Sequence, residues 1–81
     1  MGAKLKNLSS REVVSIFVSF GFVVLSRKGS HIKLRRENKL GKETLIIPES
    51  KEIPKGTLKA IFKQGVLYVA QEKLRPHFYS E

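Results

Sequence analysis

The run His31-Ile32-Lys33-Leu34-Arg35-Arg36 alternates polar and apolar residues with a period of two, directly after the turn-forming Lys28-Gly29-Ser30. A strand sends successive side chains to opposite faces, so Ile32 and Leu34 must meet a core while His31, Lys33 and Arg35 face the other way. Glycine reaches the positive φ that a tight hairpin often requires. The β-branched and aromatic run Phe22 to Leu25 ahead of it suits a partner strand. On the other side, Glu37-Asn38-Lys39-Leu40-Gly41 reads as a polar turn, and Glu43 to Ile47 as a third strand stopped by Pro48.

Helical signals flank this meander. Ser9 followed three residues later by Glu12 is a capping pattern. Val13, Ile16, Phe17 and Phe20 then fall on one apolar stripe, ended by Gly21. Glu49 to Ile53 is a short loop. Pro54 suits the first position of a second helix, with Leu58, Ile61 and Phe62 on one side, running to about Gln64 and broken by Gly65. A short last helix is expected around Val69 to Leu74, ended by Pro76. The order helix, three strands, helix, short helix predicts an α+β fold. Its simplest form is a three-stranded antiparallel sheet with helices packed on its apolar face. Phe17, Phe20, Phe22 and Phe62 are read as core, and Tyr68 and Tyr79 as packing or tail residues.

The chain has 81 residues, enough for one domain, 1–81, with a thin core. It has no cysteine, which removes disulfides and thiolate metal sites. Its two histidines lie far apart in sequence, so no metal site is expected. No apolar run near the N-terminus is long enough for a signal peptide or a membrane span, so a soluble cytoplasmic protein without a membrane partner is the expectation. The net charge is +9, and Ser26 to Lys42 holds seven Lys/Arg against Glu37 alone. Such a charge favours phosphate-rich or carboxylate-rich partners. It places an imidazole, which moves protons near neutral pH, on one strand face with an ammonium and a guanidinium able to hold an anion. On residue chemistry alone His31 also reads as a solvated turn residue, and the basic strand as a face kept polar against edge-to-edge association. The single sign of that charge favours phosphate, because a merely soluble face mixes signs.

These residues resemble the HicA (YcfA-like) toxins of bacterial toxin–antitoxin pairs. The matching features are Gly21-Phe22 after the first helix, the Gly29-Ser30-His31 turn, Ile47-Pro48 closing the third strand, and Lys55-Gly56-Thr57-Leu58 opening a helix that continues Ile61-Phe62-Lys63-Gln64. They span about residues 8–75. The resemblance implies a double-stranded-RNA-binding-domain-like fold, α-β-β-β-α. It also implies a ribosome-independent mRNA interferase needing no cofactor, inhibited by a HicB-like antitoxin that covers its site. Carried over by position, the catalytic residue is His31. Arg27, Lys28, Ser30, Lys33 and Arg35 around it are the candidate RNA- and phosphate-binding residues. Two positions depart from the family pattern: Ser50 stands where members often carry a histidine, and Ser26 where they often carry an arginine. The competing readings are a non-catalytic RNA-binding module on the same fold, and an interaction domain that meets an acidic protein.

Overall fold

The computed structural model describes residues 3–80. The elements in chain order are β1 (Lys4–Leu5), α1 (Ser10–Ser19), β2 (Val23–Lys28), β3 (His31–Asn38), β4 (Gly41–Pro48), α2 (Lys55–Gly65), α3 (Gln71–Phe78) and β5 (Tyr79–Ser80). Strands β2, β3 and β4 form an antiparallel sheet in that spatial order, with β3 central. Helix α1 packs on β2 and β4, and α2 on β4. The expected α+β arrangement, helices against one sheet face, is the one observed.

Local chemistry accounts for the start and stop of α1. The Ser9 side chain accepts from the Glu12 amide while the Glu12 carboxylate accepts from the Ser9 amide, a complete capping box. At the other end Gly21 has φ 99°, and the amides of Gly21 and Phe22 donate to the carbonyls of Val18 and Phe17. This is a Schellman closure, and it needs a residue without Cβ at the left-handed position. The period-two pattern of β3 is expressed in full: Ile32 and Leu34 are buried with Leu45 and Ile47 of β4 against Val13, Phe17 and Leu58 of the helices. Phe17 meets Phe22 edge-on, with ring centroids 5.6 Å apart.

Four boundaries differ from the sequence expectation. Strand β2 runs on through Ser26, Arg27 and Lys28, because the two-residue turn Gly29-Ser30 pairs Lys28 directly with His31. The second turn is likewise only Lys39-Leu40, so β3 continues to Asn38 and β4 begins at Gly41. Gly65 closes α2 from inside the helix, buried, rather than breaking it. Pro76 lies within α3 instead of ending it. Leu74 and Phe78, four residues apart, are both fully buried, and only a continued helix puts both into the core. At the C-terminal end of the described residues β5 pairs antiparallel with β1, Lys4 opposite Ser80 and Leu5 opposite Tyr79. This second, two-stranded sheet had no signal in the sequence reading.

Candidate functional site

Register decides what surrounds His31. In an antiparallel ladder directly opposed residues share a face. His31 is opposed by Lys28 on β2 and Pro48 on β4; Lys33 by Ser26 and Ile46; Arg35 by Val23 and Thr44; and Glu37 by Lys42. All of these lie on the sheet face away from the helices. His31 is exposed, and Lys33 and Arg35 are partly so. The open face therefore carries an imidazole at one end of the central strand, with Lys28 beside it. Lys33 and Arg35 follow down the strand at about 7 Å steps, two residues of extended chain each. One carboxylate, Glu37, sits at the far end beside Lys42.

The five residues expected around His31 separate. Lys28, Lys33 and Arg35 share its face. Arg27 pairs with Ile32, whose side chain is in the core, so it points to the helix side. There its guanidinium lies 4.0 Å from the Glu49 carboxylate, in a solvent-exposed pair. Ser30 sits in the turn, and its carbonyl accepts from the Glu49 amide at 2.6 Å. That bond clamps the His31 turn to the chain leaving β4. Arg35 Nε is shut away from solvent without a hydrogen-bond partner. Only the outer end of its guanidinium remains to hold an anion.

Arg36 belongs to a different set. It falls on the helix side, where Nε donates to Glu43 Oε1 at 2.6 Å, Nη1 to the Phe20 carbonyl at 2.9 Å and Nη2 to the Tyr68 carbonyl at 2.7 Å. Its guanidinium also lies over the Phe22 ring, 4.9 Å from the centroid. It ties α1, the sheet and the segment after α2 together, and is not available to a ligand on the open face. Ser50 is likewise structural. Its amide donates to Ser10 Oγ and its carbonyl accepts from Ser10 Oγ and the Ser10 amide, each at 3.0 Å, while its own hydroxyl donates to the Glu52 carbonyl at 2.7 Å. The position thus fastens the start of α1 to the end of β4.

The sequence reading missed Lys42 and Thr44 as members of the open face, and the exposed Val23 and Ile46 between the cations. The signal that finds them is the length of the turns. Two two-residue hairpins set the register. Counting outward from Lys39-Leu40 brings Lys42, Thr44 and Ile46 to their partners on β3. On β2 the count from Gly29-Ser30 holds only to Ser26, beyond which a bulge at Leu25 brings Val23 opposite Arg35.

The model of the HicA toxin of bacterial toxin–antitoxin systems matches residues 10–66, well over half of the chain. This chain belongs to the HicA toxin family. No curated protein matches it significantly. The family match begins at the first residue of α1 and ends just past α2, so it contains the whole three-stranded sheet and both helices that pack on it. The Gly29-Ser30-His31 turn and Ile47-Pro48 face each other across β3 and β4 inside that span. The β1–β5 sheet and α3 lie outside it. A toxin of this family has an antitoxin for a partner. Among the described residues no helix is long and apolar enough to cross a membrane.

Proposed function

We propose that the chain is an mRNA interferase, a metal-independent endoribonuclease that acts in the cytoplasm and arrests translation, with His31 as its proton-transfer group. The observation that carries this reading is the single open sheet face that His31 shares with Lys28, Lys33 and Arg35. The imidazole removes the proton from a ribose 2′-hydroxyl. The 2′-oxygen forms a bond to phosphorus, and the bond from phosphorus to the 5′-oxygen breaks. The leaving oxygen takes its proton from water or from the Lys28 ammonium opposite. Charge accumulates on the phosphorane oxygens, and Lys28, Lys33 and Arg35 offset it. A well-placed donor in a dry site contributes about 2.7–4 kcal/mol, and less on an exposed face such as this. Arg27 and Ser30 support the turn, Arg27 through Glu49 and Ser30 through its carbonyl.

Inducing the chain and its His31→Ala variant in cells, and following transcript decay, tests the reading. Loss of general acid–base catalysis lowers cleavage by about 10²–10⁴, while the variant keeps its fold because His31 is exposed. Equal decay with the two proteins removes His31 from the mechanism. RNA bound alike by both with no cleavage by either assigns the face to a non-catalytic RNA-binding module. Ser50 favours that second reading, since a serine at this position offers no second imidazole at the end of β4.

A further inference from the structure

Strand β2 is an edge: β3 lies on one side of it, and among the described residues no strand lies on the other. On this edge Val23 is 58% exposed, Val24 41% and Leu25 47%. Successive strand residues point to opposite faces, so three consecutive apolar side chains are wet on both faces of one strand. Exposed apolar edges recruit another strand, and proteins ordinarily blunt them. Here the only devices are a bulge, which leaves Leu25 out of the ladder to β3, and the charges of Arg27 and Lys28 at the strand end. The other edge of the sheet, β4, exposes only Ile46 among its large apolar residues.

We propose that the antitoxin partner of this chain adds an acidic strand to the outer edge of β2, extending the sheet from three strands to four. Charge selects the occupant. Two copies of a chain with net charge +9 repel, whereas a strand bearing carboxylates meets Lys28 and Lys33 on the open face and Arg27 on the helix side. Main-chain bonds to the edge supply affinity, and contacts with Val23, Val24 and Leu25 remove those side chains from water. The added strand lies about 4.8 Å from Lys28 and two strand spacings from His31. Long carboxylate side chains reach across Lys28 into the space a phosphate would occupy. This last consequence, inhibition, rests on the proposed role of His31; the docking itself does not.

The probe is a short peptide alternating glutamate and valine, blocked at both ends, added to the full chain and followed by amide hydrogen exchange. Exchange within Val23–Arg27 is expected to slow about tenfold at saturation, and Leu25→Ser, which removes the apolar contact without adding charge, to weaken binding about tenfold, a change of about 1.4 kcal/mol. A peptide of the same charge with alternate backbone nitrogens methylated cannot complete a ladder, and must lose most of the binding. If it binds equally, the contact is electrostatic only and strand addition is wrong. Protection on β4 or the helices instead of β2 also overturns the proposal. A free chain that sediments as a dimer with β2 already protected assigns the edge to a second copy. None of these measurements requires RNA cleavage, so they succeed or fail independently of the nuclease reading.

Discussion

Arg36 shows how one residue's role turns on which way its strand faces. Its neighbours Lys33 and Arg35 lie on the open face, while Arg36 turns inward to three acceptors on three segments. Truncating it takes the cation from the Glu43 carboxylate, which is mostly shielded from water and keeps the Asn38 side-chain amide as a donor, and frees two carbonyls. Arg36→Ala is expected to lower stability by about 2–3 kcal/mol, below the full value for a buried pair because its side chain is still 24% exposed. A fall in the urea midpoint at unchanged slope checks this. Arg36→Lys should recover only a minor part, because one ammonium cannot reach the acceptors that a planar guanidinium spans. Contiguity in sequence suggested one basic patch; strand parity divides it into a face that can hold phosphate and a brace that cannot.

Among the elements, α2 is placed by a close approach rather than by its own propensity. A Cβ on Gly65 would stand 2.8 Å from both Leu74 Cδ2 and Phe17 Cζ, side chains that are fully buried. Helix propensity alone says that Gly65→Ala should stabilise α2 by roughly 0.5–1 kcal/mol. Overpacking a filled core opposes this by about 1–3 kcal/mol. The expected net result is destabilisation of about 1 kcal/mol, read as a drop in thermal midpoint, and larger for Gly65→Val. A rise in that midpoint would mean that Leu74 and Phe17 can retreat. The glycine was legible as a helix end, and it is one. The contact that demands it is not legible, because it depends on α1, α2 and α3 meeting there. Pro76 teaches the same lesson in reverse: as a local stop signal it was overruled by the burial of Leu74 and Phe78 on either side.

At the scale of the whole molecule, the C-terminal segment completes the core. Ending the chain at Ala70 removes Leu74 and Phe78 and takes β5 from β1. Two buried side chains at about 2–5 kcal/mol each are comparable with the total stability of a domain this small. The shortened chain is expected to lose its cooperative unfolding transition in circular dichroism. The open face acts collectively as well. If Lys28, Lys33 and Arg35 each neutralise one phosphate, RNA binding should weaken with salt at a logarithmic slope of about −2, and Lys33→Ala should flatten it by about 0.7. A slope unaffected by that substitution moves the RNA elsewhere. The fold class, the α1 capping box, the alternation of β3 and the placing of His31, Lys33 and Arg35 on one face were all determined by the sequence, because each follows from chemistry within a few residues. With both turns two residues long, strand parity also sends Arg27 and Arg36 to the helix side and brings Lys28, Lys42 and Thr44 to the open face. The tertiary structure decided the bulge that sets Val23 opposite Arg35, the three acceptors that hold Arg36, and the pairing of the two ends of the chain. Those outcomes depend on contacts between residues far apart in the chain, which no local pattern carries.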